Sequence, residues 1–348
     1  MPRFSFADAT QSSLQFFKHL TTVKPKEPKL TIGVDIGSSD VKVVGLGRRR
    51  GLGSRTLIGQ SRESLGEQPE SHAGEAIKRA LSSLGLPPGP VSLAVSGQWV
   101  MMRVVEMPKL APDELAQALP FEAQRYVPFN IQDVVLDGAV LGPAEANKLW
   151  VLFVVCKREL LERRIGWIRQ AGCEPAVIDV DALALANAFV EQAGSKRLSG
   201  TNALINVGTQ WTNLVVLKAE APFLVRDIPW GAVKLVRHMA EQLGREEQAI
   251  LSQLKANPVP TEIVEAMRVS CEALAVELQL SFDFFESHFG PPPDQILVSG
   301  GLSQFPGFVE GLKTHLTQPL AAWTPGLGLT SEFAVAYGLA LRSTVAAG

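Results

Sequence analysis

Apolar and polar residues alternate from position 30 to position 47 in a pattern typical of two β-strands joined by a short turn. In the first run every second residue is aliphatic: Leu30, Ile32, Val34 and Ile36. A second β-rich run begins at Val41, after the short stretch 37–40. A spacing of two residues between apolar positions indicates strands, and small polar residues between the runs indicate a turn. We therefore predict a β-hairpin.

The turn of this hairpin carries groups that can bind an anion. Gly37, Ser38 and Ser39 leave successive backbone N–H groups accessible, and such groups can form a concave site for a phosphate. Asp35, on the strand just before the turn, can hold a divalent cation through water. The same residue types also occur where only turn geometry is required, so this stretch alone does not distinguish the two roles.

Residues 203–217 repeat this arrangement half a chain later. An apolar strand leads to Asn206 and Gly208, Thr209 and Gln210 form the polar turn, and another β-rich run follows. We therefore expect a second hairpin whose turn faces the same kind of ligand.

A third stretch, residues 296–308, is an apolar strand that runs into Gly300 and Gly301. Paired glycines after a strand suit a backbone that passes close to a flat or bulky group. Two such hairpins, followed by a strand and a Gly–Gly turn, resemble the nucleotide clamp of the actin, Hsp70 and sugar kinase superfamily. This resemblance implies an α/β fold of two duplicated halves around a nucleotide cleft.

Composition narrows the class of protein. The chain has 348 residues, 46% of them hydrophobic, and a formal net charge of −2. It is long enough for a large core and about two domains, and it lacks the basic surface of a nucleic-acid binder. The three cysteines, Cys156, Cys173 and Cys271, are widely spaced among apolar residues, which indicates reduced thiols in a cytosolic protein. No apolar run reaches the roughly 20 residues of a membrane helix, and residues 1–20 lack a signal-peptide pattern, so we expect a soluble protein.

Residues 1–29 are set apart from the first strand. Aromatic and aliphatic residues lie among polar ones up to Leu20, and the charged, proline-containing stretch 24–28 separates them from Leu30. We interpret 1–29 as a tail and linker. The tail is either a short helix that packs on the body or an amphipathic segment that contacts a membrane or a partner.

Between residues 97 and 173 the pattern changes to that of a small α+β insert. The predicted elements are a strand at 100–107, a helix at 112–126, strands at 134–141 and 149–156, and a helix at 159–170. At the end of the first of these helices, Phe121, Tyr126 and Phe129 lie close together and Pro128 stops the helix. All three aromatics can be core or cap residues, an interpretation that we favour for Phe121. The stretch 126–130 is instead typical of an exposed helix end.

The remaining pattern completes the two halves. Residues 262–289 predict one helix of about 40 Å, and the apolar helix at 332–341 can pack between the halves. The predicted division is a tail and linker (1–29), the first part of the first half (30–96), the insert (97–173), the return to the first half (174–200), the second half with its closing helix (201–341) and a short tail (342–348).

Seven stretches together resemble the PilM family, the cytosolic actin-like proteins of type IV pilus assembly, which are similar to the cell-division protein FtsA. The stretches are 35–44, 122–129, 171–188, 205–217, 226–231, 297–301 and 332–341. The resemblance implies an actin-like ATPase fold, ATP held with Mg²⁺ between the halves, and binding of the cytoplasmic N-terminal peptide of the inner-membrane protein PilN. It also implies a cytoplasmic location, at the inner membrane only through that partner, and a role in twitching motility. Contacts with other platform or motor proteins and self-association stay open.

The resemblance also implies roles for individual residues. The phosphates and Mg²⁺ would be faced by Asp35, Gly37, Ser38, Ser39 and Lys42, with Asp35 holding the metal through water. The opposite clamp would comprise Asn206, Gly208, Thr209 and Gln210, the adenosine floor Gly300 and Gly301, and the adenine contact Lys255. The partner peptide would contact Tyr126, Val127, Pro128 and Phe129.

Two positions depart from the family's pattern. The superfamily usually has an aspartate where this chain has Asn206, and an amide cannot carry the negative charge that orients metal-bound water. Ser252 stands where the family usually has a ribose-binding glutamate. We therefore expect nucleotide binding with at most weak hydrolysis.

Other functions remain open from the sequence. A sugar or acetate kinase on the same fold needs a carboxylate base near the accepting hydroxyl, and no unassigned Asp or Glu stands out in that role. A structural scaffold that has lost nucleotide is compatible with Asn206 and Ser252. The cytosolic part of a type II secretion protein would be followed by a transmembrane helix, and we find none in the sequence.

Overall fold

The computed structural model describes residues 30–48, 55–66, 69–193 and 198–342. Their strands are β1 (Leu30–Ile36), β2 (Asp40–Arg48), β3 (Arg55–Ser64), β4 (Pro90–Val95), β5 (Val100–Pro108), β6 (Val134–Pro143), β7 (Lys148–Lys157), β8 (Glu174–Val180), β9 (Thr201–Val207), β10 (Thr212–Lys218), β11 (Ala221–Ile228), β12 (Gln295–Ser299) and β13 (Leu320–Ala322). Their α-helices are α1 (Pro69–Ser83), α2 (Pro112–Gln124), α3 (Arg158–Gln170), α4 (Asp181–Ala193), α5 (Ala232–Leu243), α6 (Glu247–Leu254), α7 (Thr261–Ser270), α8 (Glu272–Phe289), α9 (Phe308–Lys313) and α10 (Ala334–Ala340).

Two five-stranded sheets share one topology. The first has the order β3-β2-β1-β4-β8 and the second the order β11-β10-β9-β12-β13. In each sheet the first three strands are antiparallel neighbours, and the last two strands are added in parallel. The chain therefore forms the same α/β unit twice, as the repeated hairpins predicted.

Helices α4 and α10 form the seam between the two sheets. Every residue of α10 is buried, and the helix packs on β1 and on α4. Glycines permit this close approach, because a Cβ on Gly33 would collide with the carbonyl of Ala336 and a Cβ on Gly338 with that of Ala184. On its other side α4 contacts β9, β10 and β11 of the second sheet. The seam thus fixes the carboxyl ends of β1 and β9 close together.

The chain between β4 and β8 forms a third, antiparallel sheet with the order β5-β7-β6. Helix α2 packs on this sheet through Leu115, Leu119 and Ala123, which are buried. Helix α3 contacts β7 on one side and α1 and β8 of the first half on the other. α3 is therefore one of the elements that join the insert to the first half, together with residues of β5 and β7 in the same apolar core.

The structure corrects the prediction of a single helix over residues 262–289. Helix α7 ends at Ser270, α8 begins at Glu272, and the buried Cys271 lies between them. Neither glycine nor proline marks this break, so the apolar periodicity runs through it. The interruption is confined to this residue, because the N–H of Cys271 still donates to the carbonyl O of Met267 at 3.0 Å and the N–H of Ala275 to that of Cys271 at 3.0 Å. The Sγ of Cys271 lies 3.9 Å from the carbonyl O of Phe308 on α9.

The core position favoured for Phe121 is also wrong. Its side chain is 76% exposed. The buried stripe of α2 follows positions 115, 119 and 123, and a residue two positions away from that stripe points to the opposite side of the helix.

Some elements gave no clear signal in the sequence. Strand β3 lies at the edge of the first sheet and has no fully buried residue, so its apolar pattern is weak. The tail and linker predicted at 1–29 lie outside the described residues, as do the last six residues. Within the described ranges, no helix is both long enough and apolar enough to cross a membrane.

Candidate functional site

The turns of the two predicted hairpins meet across the seam. The Oγ of Ser39 lies 2.7 Å from the Oγ1 of Thr209. Each turn is closed in the same way, because the N–H of Gly37 donates to the carbonyl O of Asp40 at 2.9 Å and the N–H of Gly208 to that of Trp211 at 3.0 Å. The two other predicted turn residues are Ser38, which is partly buried, and Gln210, which is exposed. Two structurally equivalent loops therefore face one common space.

The first loop carries a charged pair where the second carries a neutral one. Asp35 lies opposite Lys42 in the β1–β2 register, and their Oδ2 and Nζ atoms are 3.6 Å apart. Asn206 lies opposite Asn213 in the β9–β10 register, and its Nδ2 donates to the Oδ1 of Asn213 at 3.0 Å. Asn206, which stands where the superfamily usually has an aspartate, is thus hydrogen-bonded to a second amide side chain, that of Asn213.

This amide pair continues into a network that reaches the insert. The Nδ2 of Asn213 donates to one carboxylate oxygen of Asp227 at 2.7 Å, and the N–H of Gly97 donates to the other at 2.7 Å. Burial raises the pKa of Asp227, although both hydrogen bonds favour its ionised form. Asp227 lies in the matching stretch 226–231, but the sequence alone indicates no role for it. Its position indicates that it supports the second loop.

Asp181 is a further acidic residue of the site. It is the first residue of α4, directly after β8, and so lies at the same edge of the first sheet as Asp35. Burial raises the pKa of Asp181 to about 7, the negative charges of Asp35 and Asp227 add to the shift, and a hydrogen bond with Ser96 opposes it. The sequence signal for Asp181 is its place at the end of a strand within the stretch 171–188, but this signal alone assigns no role to it.

A cation from the insert enters the same space. Arg164 of α3 donates from Nη1 to the carbonyl O of Ile36, the residue before Gly37. Burial lowers the pKa of the Arg164 guanidinium, and the negative charges of Asp181 and Asp35 oppose that shift. No motif or spacing pointed to Arg164, because the contact joins two elements that are far apart in the sequence.

The two predicted glycines differ in their surroundings. Gly300 has φ +91°, and a Cβ there would lie 2.8 Å from the carbonyl C of Val207. Only glycine fits this approach of the β12 end to the β9 end. A Cβ on Gly301 would meet no atom within 4 Å.

Lys255 lies at the carboxyl end of α6 with an exposed side chain, and no described hydrogen bond or ion pair joins it to the other predicted nucleotide-binding residues.

The predicted partner surface lies on the insert. The hydroxyl of Tyr126 donates to Glu122 Oε1 at 3.3 Å, and the guanidinium carbon of Arg103 lies 4.8 Å from the centre of the Tyr126 ring. Val127 is partly buried and Pro128 is exposed. At this helix end the side chain of Val127 is therefore partly accessible to a partner, and that of Pro128 is accessible.

Phe129 is the residue of this surface that borders a cleft. Its ring lies 6.4 Å from that of Trp99, and the Nζ of Lys157 lies 4.7 Å from the Phe129 ring and 4.0 Å from the Trp99 ring. The adjoining cleft has a volume of about 470 Å³. It is lined by Phe129, Asn130, Gln132, Asp133, Lys157, Arg158, Glu159 and Glu162. An aromatic wall and charges of both signs suit a peptide better than a small apolar ligand.

The described side chains of the site fit a magnesium ion that keeps most of its water ligands. They do not fit a metal ion that is coordinated by protein groups alone. Among the described residues, no three His, Cys, Asp or Glu side chains converge in a way that could hold a metal. Mg²⁺ at nucleotide sites usually keeps several waters and takes only one or two carboxylates together with phosphates. Asp35, which is only 7% exposed at the strand end, matches that limited role.

Comparisons with known proteins give consistent results. The profile of the family described as type IV pilus assembly protein PilM matches residues 33–344. The chain is similar to a solved structure described as the PilM-PilN type IV pilus biogenesis complex, with 24% identity and a TM-score of 0.78 over 91% of this chain and 99% of that chain. It is also similar to the ethanolamine utilization protein EutJ from Carboxydothermus hydrogenoformans, with 14% identity and a TM-score of 0.55 over 94% and 97% of the two chains. These likenesses concern the fold, which is the actin-like fold expected from the sequence.

Proposed function

The chain belongs to the PilM family of type IV pilus assembly proteins, and on that basis we propose that it is a nucleotide-binding adaptor. It binds ATP with Mg²⁺ between its halves and the cytoplasmic N-terminal peptide of PilN at its insert. The observation that carries the proposal is the meeting of the two hairpin turns, with Ser39 and Thr209 only 2.7 Å apart. Loops that converge from two sheets can surround a polyphosphate with backbone donors from both sides.

Each loop has a defined part in this proposal. The phosphates are held by Gly37, Ser38 and Ser39 from one side, by Gly208, Thr209 and Gln210 from the other, and by the charge of Lys42. Asp35 holds the water shell of Mg²⁺, which when bound neutralises phosphate charge. Gly300 and Gly301 form the floor under the adenosine, and Lys255 contacts the adenine. The support for the phosphate contacts is the meeting of the two loops at Ser39 and Thr209, and the support for Gly300 is its close approach to Val207 at the end of β9. The assignments of Gly301 and Lys255 follow from the family resemblance alone.

Hydrolysis is expected to be weak. An ATPase needs a group that orients or deprotonates the attacking water. Asn206 has no negative charge, and its amide is already bonded to Asn213. The alternative is a nucleotide-free scaffold, which the replacement of two family residues by Asn206 and Ser252 supports.

The partner site is proposed beside Phe129. The 470 Å³ cleft there is lined by Phe129, by residues that follow α2 and by the first turns of α3, and a groove of this kind suits an extended peptide. The solved complex of the same fold, described as PilM-PilN, supports the choice of partner. Burial of one or two large side chains, at about 1.5 to 3 kcal/mol each, would give a micromolar contact together with main-chain hydrogen bonds. Tethering of the peptide to the membrane would raise its effective concentration and keep the protein at the cytoplasmic face of the inner membrane.

Two binding measurements test the proposal. Isothermal titration of ATP with Mg²⁺, and separately of a synthetic PilN N-terminal peptide, should each show one saturable site on the purified protein. Binding of the peptide by a protein that shows no binding of ATP would favour the scaffold. Binding of neither ligand would contradict the adaptor function.

A further inference from the structure

The outer face of α8 carries a line of exposed apolar side chains. Val276, Leu280 and Phe284 lie four residues apart, so they project from the same side of the helix. Each of them is at least 41% exposed, and together they span about 12 Å along the helix axis. The ring of His288, four residues further on, stacks on that of Phe284 with 4.1 Å between the ring centres. Single exposed apolar residues are common on protein surfaces, whereas an aligned set of large ones marks a surface that binds a partner.

The apolar line is bordered by acidic residues. Glu272, Asp283 and Glu286 lie along one side of it and are exposed, and α8 contains neither lysine nor arginine. On the other side Glu277 pairs with Arg226 at 2.7 Å. Carboxylates beside the apolar line disfavour a membrane, because the lipids that attract proteins electrostatically are anionic. This face suits an amphipathic helix that lays its apolar side on α8 and carries basic residues.

The sequence of the tail has the complementary pattern. Leu14, Phe17 and Leu20 recur every three residues within the stretch 14–23, a spacing that places them on one side of a helix. Ten residues correspond to about 15 Å of helix, which matches the length of the apolar line on α8. Residues 1–29 contain five lysine or arginine residues and two acidic ones. The stretch 14–23, called here the tail segment, therefore has the length and apolar pattern that fit α8, within a tail of the opposite charge.

We propose that the apolar line of α8 binds the tail segment of a second copy of the chain. Leu30 begins β1 in the first sheet, whereas α8 packs on β11 of the second sheet. The six residues between the tail segment and Leu30 extend over at most about 20 Å, which is less than half of the roughly 50 Å diameter of a compact chain of this length. The tail of a neighbouring copy is not limited in this way.

Two copies can satisfy both contacts at once. Each copy then contributes one tail segment and one α8 face, and the pair has two-fold symmetry. Because the contact joins two chains, it leaves the thermal stability of a dilute single chain unchanged.

Sedimentation velocity of the full chain tests the proposal. Over protein concentrations from about 1 to about 100 µM, a range suited to small transient interfaces, the mass should rise from 37.5 kDa towards twice that value. Leu280→Lys places a positive charge in the apolar line, so it should weaken association at least about tenfold. Leu14→Ser/Phe17→Ser changes only the tail segment, outside the described fold, and should weaken association as much.

Ile58→Lys is the matched control. Ile58 is an exposed aliphatic residue of the edge strand β3 in the first sheet. This variant introduces the same charge at a distant apolar position, so it should associate as the unmodified chain does. A loss of association equal to that of Leu280→Lys would overturn the assignment to α8.

Mixing the two weakened variants separates this contact from its alternatives. The Leu280→Lys chain keeps an intact tail segment and the Leu14→Ser/Phe17→Ser chain keeps an intact α8 face, so an equimolar mixture should associate more tightly than either variant alone. Association of the tail variant by itself would show that two α8 faces meet, and association of Leu280→Lys by itself would show that two tails meet. Either result would overturn the proposal, as would a mixture that gains nothing or an unmodified chain that is monomeric at every concentration.

Carbodiimide cross-linking of a mixture of unlabelled and isotope-labelled chains identifies the residues that meet. The reagent joins lysine amines to carboxylates, so Lys18 or Lys24 of one copy should be linked to Asp283 or Glu286 of the other. Links confined to single copies would overturn the assignment to a second copy, and absence of links between tail and α8 would overturn the site.

Cosedimentation with phosphatidylglycerol vesicles tests the membrane alternative for the tail. The unmodified chain is expected to stay in solution. Vesicle binding that is lost in Leu14→Ser/Phe17→Ser and kept in Leu280→Lys, by a chain that does not self-associate, would overturn the proposal and identify the tail as a membrane-binding segment.

Discussion

Asp35 and Asn206 occupy equivalent positions in the two halves. Each is the penultimate residue of its strand, each lies two residues before the glycine of its turn, and each faces the partner strand at the same register. Asp35 pairs with Lys42 at 3.6 Å, whereas Asn206 donates to Asn213 at 3.0 Å. The duplicated fold thus retains an acidic group on one side of the proposed nucleotide and a neutral one on the other.

Replacing Asn206 by aspartate should increase ATP hydrolysis. A carboxylate in the second loop would supply the charge that orients water. Acid–base groups of this kind typically raise a reaction rate at least about a hundredfold, and we expect the rate of ATP hydrolysis to rise at least about tenfold here. Steady-state phosphate release by Asn206→Asp and the unmodified protein measures the change. Loss of the hydrogen bond to Asn213 is expected to cost about 1 kcal/mol of stability, so the unfolding free energy is measured in parallel.

The control for this prediction is Asp35→Ala, which should abolish any hydrolysis in both backgrounds. One outcome would contradict the assignment of weak hydrolysis. It is ATP turnover by the unmodified protein above about 1 s⁻¹, a rate typical of enzymes, together with loss of that turnover in Asp35→Ala.

Gly300→Ala should damage the cleft, whereas Gly301→Ala should not. Alanine at 300 would require φ +91° and a contact with Val207 far below van der Waals distance, while a Cβ at 301 meets no atom within 4 Å. We expect Gly300→Ala to lower the unfolding free energy by at least about 2 kcal/mol and Gly301→Ala to change it by under about 1 kcal/mol. Urea unfolding of the two variants checks this. Equal stability of both would show that Gly300 is not needed for the strand-end packing.

Asp179 and Arg342 form a buried ion pair whose loss should be strongly destabilising. The Oδ2 and Nε atoms are 3.4 Å apart, and the two residues are 1% and 3% exposed. Arg342→Met would leave the Asp179 charge uncompensated, at a cost of about 3 to 5 kcal/mol. The double variant Asp179→Asn/Arg342→Met should recover part of this loss. Recovery of nothing would indicate that Arg342 acts through packing alone.

The cost of Arg342→Met should also depend on pH. Burial raises the pKa of Asp179 above its ordinary value in the folded chain. Protonation of Asp179 therefore favours folding, and that contribution is lost as the pH rises through the raised pKa. The difference in unfolding free energy between Arg342→Met and the unmodified protein should be smaller at pH 5 than at pH 8. A difference that grows on acidification would have the wrong sign.

Deletion of residues 1–29 should leave the melting temperature nearly unchanged. The described residues from Leu30 onward form extensive apolar cores among themselves, and the lysine- and proline-containing stretch 24–28 precedes the first strand. Differential scanning calorimetry compares the two chains. A large decrease would show that the tail contributes to a core.

Local features of this fold could be predicted from the sequence, and contacts between distant elements could not. Both hairpins and the Gly–Gly turn were found because alternation and turn residues lie within short stretches. Arg164 and Asp227 were missed as site residues, because their contacts with Ile36 and Gly97 depend on how the insert and the sheets meet. Phe121 was misassigned for a related reason, since three neighbouring aromatics do not reveal which face of α2 is buried.

The central claim is the adaptor function, and titration of the PilN N-terminal peptide against matched phenylalanine variants tests it most directly. Phe129 borders the cleft, whereas Phe121 is 76% exposed on the same insert and does not line it. The unmodified protein should bind with micromolar affinity. Phe129→Ala should bind the peptide at least about tenfold more weakly, because it loses the burial of one large side chain. Phe121→Ala should bind the peptide as tightly as the unmodified protein does. Circular dichroism checks that all three proteins are folded. No binding to the unmodified protein, either free or loaded with ATP and Mg²⁺, would contradict the account.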